Sequence, residues 1–127
     1  MNTTAGPIPN IAGQVMTVDG LMDPGHLGST IMHEHLLIEL WRDKVPAFDT
    51  PVTESLLWDE KLTIENLHLA HRRQHIKDNY ILSDEDMIIA ETMQFKKRGG
   101  STIVDVTSIG LGRDPQALQR VSRTTGL

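Results

Sequence analysis

In the stretch "HEHLLIEL", residues 33–40, two histidines flank a single glutamate. Neutral imidazole is a strong ligand for zinc and related divalent metals, so His33 and His35 are candidates for one metal site. On a helix they could not share it. Positions two apart diverge by about 200° at 3.6 residues per turn, and the helical zinc-protease pattern needs histidines four apart. On a strand, positions i and i+2 project to the same side. The spacing therefore predicts a strand-borne pair leaning over one metal, with Glu34 turned to the opposite face and engaged there in an ion pair. Spacing alone leaves a second account open, in which two strand-end imidazoles are satisfied by backbone or solvent. The chain has no cysteine, which leaves histidine and carboxylate as its strong metal ligands.

His68, His71 and His75 offer a different arrangement. Spaced i, i+3 and i+7, they would share one face of a helix and could bind a metal of their own or a partner protein. They define a rival function, that of a small non-catalytic metal- or protein-binding module. A solvated helix surface is the plainer account of the same residues.

The elements that must carry these side chains can be read from periodicity and punctuation. "GQVMTVDGLMDP" sets two short apolar runs either side of Asp19 and Gly20, a pair favoured in tight turns, and predicts a hairpin over about 14–24. "GSTIMHEHLL" is rich in β-branched and apolar residues up to His33 and predicts a strand over about 29–35. Pro46 and Pro51 interrupt the next stretch, which reads as a long excursion over about 41–80, with one or two short helices among Leu56, Leu57, Leu62, Ile64 and Leu67. "SDEDMIIAETMQFKKRGG" predicts a helix over about 84–98. Ser83 is its expected N-cap and Asp86 its capping-box acid; Lys96, Lys97 and Arg98 match the dipole at the other end, and Gly99 stops it. "STIVDVTSI" predicts a second strand over about 102–107, and Asp114 with Pro115 supplies N-cap and N1 of a helix over about 115–125, ended by Gly126. Asp105, near the end of that strand, is placed to accept from a ligand imidazole, as metal-bound histidines usually require, or equally to cap a neighbouring loop.

Strand, excursion, helix, strand and helix make an α/β chain: one βαβ unit and the start of another. Two parallel strands do not bury a core by themselves, because parallel sheets need both faces covered. At 127 residues the chain is one domain's worth or less, and its net charge of −5 argues against nucleic acid as a partner. No stretch approaches the roughly 20 apolar residues of a bilayer helix, and the N-terminus has neither a basic nor an apolar leader region. A cytoplasmic protein with a small-molecule partner, and with neither nucleic acid nor membrane, is expected; self-association into a homo-oligomer stays open.

"GSTIMHEHLL" together with "FKKRGGSTIVDVTSIGLGRDPQALQRVSRTTG" closely resembles the N-terminal part of the phosphotriesterase family of the amidohydrolase superfamily, from about Gln14 to Leu127. The resemblance implies a partial (β/α)8 TIM barrel, made of the N-terminal hairpin and the first two βα units. It further implies a hydrolase that cleaves phosphotriesters, lactones or related esters and amides with metal-activated water, using two zinc ions in the complete enzyme. His33 and His35 match the family's first-strand ligands. The bridging lysine, two histidines and aspartate that complete its site have no counterpart here and would lie beyond residue 127. The chain is therefore expected to be inactive alone. "GLGRD" is a family motif at a strand end; Asp114 in it doubles as a helix cap, and a structural ion pair is the expected role of Arg113.

Overall fold

Val18 and Asp19 turn the chain back on itself, one residue earlier than the expected Asp19–Gly20 turn; Gly20, at a φ of 118° that a side chain would resist, already pairs with Thr17. The turn joins β1, Val15–Thr17, to β2, Gly20–Met22, as an antiparallel hairpin with Val15 opposite Met22. The computed structural model describes residues 10–72 and 75–127. The N-terminal stretch 1–9, expected to carry no targeting signal, and residues 73–74 of the excursion lie outside the described residues. Among the described residues no helix is long and apolar enough to cross a membrane.

After a single 3-10 turn, Pro24–His26, the chain enters β3, Thr30–Glu34, which lies parallel to β6, Thr102–Asp105. Thr30 stands opposite Thr102, Ile31 opposite Ile103 and Glu34 opposite Asp105, so three steps along β3 are matched by two along β6. The extra residue is a bulge at Met32 and His33, both exposed. Bulges bend a strand locally and re-aim its side chains.

The excursion begins and ends in a pairing that hydropathy alone does not reveal. β4, Ile38–Glu39, runs antiparallel to β5, Ile81–Leu82, with Ile38 opposite Leu82. Two-residue strands are too short to show alternation. Between them lie α1, Val52–Ser55, and α2, Leu67–His71. Lys61 bonds Asp78 at 2.7 Å, and the same carboxylate accepts from the Leu62 N–H, which ties the middle of the excursion to its return.

α3, Glu85–Lys97, corrects one expectation: Asp84, not Ser83, is its N-cap, and the Asp84 carboxylate accepts from the Met87 N–H at 3.0 Å. Pairing of β5 keeps the chain extended through Leu82, and a carboxylate at the cap also answers the positive end of the helix dipole. α4, Pro115–Thr125, is capped by Asp114, whose side chain accepts from the N–H groups of Gln116 and Ala117. It ends at Gly126, which takes the left-handed conformation at φ 70°.

Ala117, Val121 and Thr125 recur every fourth residue and form the buried face of α4. Ala117 and Val121 meet Ile88 of α3 and Leu37 in the core, with Leu36, Leu82, Ile89 and Leu118 around them. Polar contacts stitch the two helices together. Arg120 forms a two-pronged pair with Glu85 at 2.6 and 3.0 Å, and Lys96 donates to the carbonyls of Thr125 and Gly126. The hairpin hangs on the same helix: the Asp19 carboxylate accepts from Arg123 at 2.7 Å and Ser122 at 2.9 Å.

Two outcomes test these assignments. Asp84→Ala should lower stability to urea by about 1 kcal/mol while Ser83→Ala leaves it near wild type; equal effects would return the cap to Ser83. The Arg123 hydrogen bond holds the Asp19 carboxyl below its ordinary range, and Ser122 adds to the effect. A lowered folded value means that the contribution is present above the ordinary carboxylate range and is lost as pH falls through the lowered value. Amide protection in the hairpin should therefore fall selectively in acid, and Asp19→Asn should show the low-pH pattern at neutral pH.

Candidate functional site

His33 lies inside β3, and His35 lies one residue past its C-terminal end. Their rings are edge-on at 75°, with centroids 5.4 Å apart. Two imidazoles bound through one nitrogen each to a tetrahedral zinc, at about 2.1 Å per bond, bring their centroids to roughly 5 Å. The centroid separation is therefore the one that a shared divalent metal would require. Among the described residues no group of three or more histidine, cysteine or acidic side chains comes together to hold one, so the chain offers part of a ligand set.

His33 is exposed and His35 half-buried, and the difference comes from what stands behind His35. Its Nδ1 lies 3.0 Å from the hydroxyl of Thr107, which leaves Nε2 as the ring nitrogen open to a metal. Thr107 is only 1% exposed, and each of its polar groups is engaged. Its N–H donates to Asp105 Oδ1 at 2.9 Å, its carbonyl accepts from Arg113 Nε at 2.8 Å, and its hydroxyl lies 3.2 Å from the carbonyl of Leu37. Hydroxyl and backbone bonds of this kind matter here because each buried group left unpaired costs about 1–3 kcal/mol.

Asp105 does not reach an imidazole. Its carboxylate accepts from the backbone N–H groups of Leu36, at 2.9 Å, and Thr107, so it braces both the residue after His35 and the residue whose hydroxyl meets the imidazole. Of the two roles open to it in the sequence, the contacts describe the loop-capping one. Arg113, expected in an ion pair, bonds the Thr107 carbonyl. The missed residue is Thr107. Its signal was a hydroxyl two positions after a strand-end acid, the spacing at which an aspartate caps a backbone N–H.

Glu34 makes no ion pair among the described residues. Together with His35 it borders a hollow of about 170 Å³ closed by Leu82 and the α3 residues Met87, Ile88, Glu91 and Thr92. No lysine or arginine lines it. The second histidine cluster does not form either. α2 ends at His71, and His75 lies beyond it, where its Nδ1 meets the Tyr80 hydroxyl at 2.6 Å, while His68 Nδ1 lies 3.0 Å from the Glu65 carbonyl. Five residues of helix are too few to carry i, i+3 and i+7 on one face.

Fold and site together define an α/β protein with paired imidazoles at the C-terminal end of a parallel strand. A profile of the phosphotriesterase family matches residues 13–127, and the chain belongs to that family. It is 37% identical over 120 residues to a phosphotriesterase-related protein of Nematostella vectensis, covering 90% of this chain and 33% of that one. To the N-acetyltaurine hydrolase of Homo sapiens it is 32% identical over 120 residues, covering 93% and 34%. Among solved structures it is similar to a resiniferatoxin-binding protein from Rhodobacter sphaeroides, with a TM-score of 0.75 and 38% identity over 91% of this chain and 32% of the other. The chain spans about a third of the length of the curated relatives it matches.

Removing the Asp105 carboxylate strands two backbone donors. Asp105→Ala should destabilise the chain by about 2–4 kcal/mol, and Asp105→Asn, which keeps one acceptor oxygen, by less. Urea midpoints measure both, and equal losses would mean that the bracing bonds are not made.

Proposed function

We propose that this chain supplies the first metal ligands, His33 and His35, of a zinc-dependent hydrolase, as the hairpin and first two βα units of a (β/α)8 barrel. The observation that carries this reading is the imidazole pair at the C-terminal end of β3, with centroids 5.4 Å apart. In such barrels the chemistry gathers at the C-terminal ends of the strands, and the ligands come from several of them. A hydrolytic zinc site takes about three protein ligands and an open position, so two imidazoles bind without completing a catalyst. Two zinc ions in the complete enzyme, and inactivity of residues 1–127 alone, belong to the same reading.

A divalent ion bound there supplies Lewis-acid polarisation of a scissile C=O or P=O and lowers the pKa of water towards neutrality. His33 and His35 hold the ion, and Asp105 and Arg113 fix the backbone from which the Thr107 hydroxyl meets His35. The substrate is a small phosphotriester, lactone, ester or amide; the relatives named for N-acetyltaurine hydrolysis support an N-acyl amide among these.

The test joins residues 13–127 to the remaining two thirds of the Nematostella relative. The joined barrel should hydrolyse at least one of an N-acyl amide, a lactone and a phosphotriester. Chelation should remove that activity, zinc should restore it, and His33→Ala or His35→Ala should each reduce it to background. The 127-residue chain should show no turnover above a zinc blank. Activity of a folded barrel that is indifferent to both histidine substitutions would overturn the assignment.

A further inference from the structure

The side chain of Thr107 sits between two groups that constrain it differently. The Leu37 carbonyl, 3.2 Å away, can only accept a hydrogen bond, whereas His35 Nδ1, 3.0 Å away, can donate or accept according to the tautomer. A threonine hydroxyl has one proton. Given to Leu37, it leaves the oxygen lone pairs facing the imidazole, and the contact to His35 is then satisfied only by Nδ1–H donating. Turned instead towards Nδ1, the same proton would leave the Leu37 carbonyl without its hydroxyl donor in a place where Thr107 is 1% exposed, while Asp105 on its N–H and Arg113 on its carbonyl keep the side chain between the two groups.

We propose that Thr107 is a positioning residue that fixes His35 as the Nδ1–H tautomer and so presents its Nε2 lone pair to a divalent metal. The inference rests on the reading of His35 as a ligand and deepens it by naming the residue that selects the ligating nitrogen. Ligand imidazoles are ordinarily oriented through the nitrogen that does not bind the metal, and carboxylates or carbonyls commonly do the orienting. Here a hydroxyl does it, because the nearby carboxylate of Asp105 is spent on two backbone N–H groups. His33 has no such partner among the hydrogen bonds of the described residues and serves as the internal control.

The test is nitrogen NMR of the 127-residue chain labelled at histidine, metal-free and at a pH where the imidazoles are neutral, and then titrated with zinc alone. Wild type and Thr107→Ser should show His35 with protonated Nδ1, and zinc should shift its Nε2. In Thr107→Val the His35 signals should move towards a mixture of tautomers while those of His33 stay put, and zinc should bind about tenfold more weakly. Recovery in Thr107→Ser separates loss of the hydroxyl from loss of packing. A wild-type His35 that is averaged between tautomers or protonated at Nε2, or a Thr107→Val chain with an unchanged His35 tautomer, would overturn the positioning role. A Nδ1–H tautomer with no zinc response at either histidine would instead overturn the metal reading on which it rests.

Discussion

The arrangement of the site depends on a seam of hydrogen bonds that runs past the ends of two parallel strands. β3 and β6 are short, and their ladder ends at Glu34 and Asp105. Beyond it, the Val106 N–H donates to the Glu34 carbonyl, the Asp105 carboxylate takes the Leu36 N–H, and Thr107 reaches Leu37. Side chains thus continue a pairing that the backbone has begun to leave. Leu37 enters the core on this seam, against Ile88, Ala117 and Val121, so the same few bonds set both the packing of the helices and the direction of His35.

The helical layer is consistent with that role. α3 and α4 lie side by side and are locked at both ends of their contact, by Glu85 with Arg120 and by Lys96 with the last carbonyls of α4. Exposed ion pairs of this kind each contribute little, roughly 0–1 kcal/mol. Their use is in register: apart from the apolar stripe they are what fixes how far α4 slides along α3, and Asp19 hangs the hairpin on the register so chosen.

Much of this was legible in the residues themselves. The limits of α4 are set by Asp114, Pro115 and Gly126, because capping chemistry is local and those residue types have few other uses together. That His33 and His35 stand at a strand end follows from local composition and needs no knowledge of the partner strand, whereas the direction of His35 depends on Thr107. The rest was non-local or a competition between near-equals. Ser83 and Asp84 are both good caps, and the choice between them is made by β5, whose pairing with β4 joins residues far apart in the chain. The bulge in β3 is a mismatch of register between two strands and has no mark in either alone. The spacing from Asp105 marks Thr107 as a capped residue, but only the fold sets its hydroxyl between an imidazole and a carbonyl.

The β4–β5 pair has a consequence for how such a chain diversifies. It clamps the two ends of the excursion side by side, a few residues after His35 and just before α3. The closure is made by the clamp, so the length of chain within it is thermodynamically cheap to alter: doubling a flexible loop costs only about 0.6 kcal/mol in closure entropy. Insertions and deletions between Glu39 and Lys61, short of the Asp78 tie and the fully buried Ile76, can therefore accumulate without moving the imidazoles or the helix beyond the clamp. Selection is left with a stretch near the ligands whose length it can change cheaply, and a frame for the ligands that it need not touch.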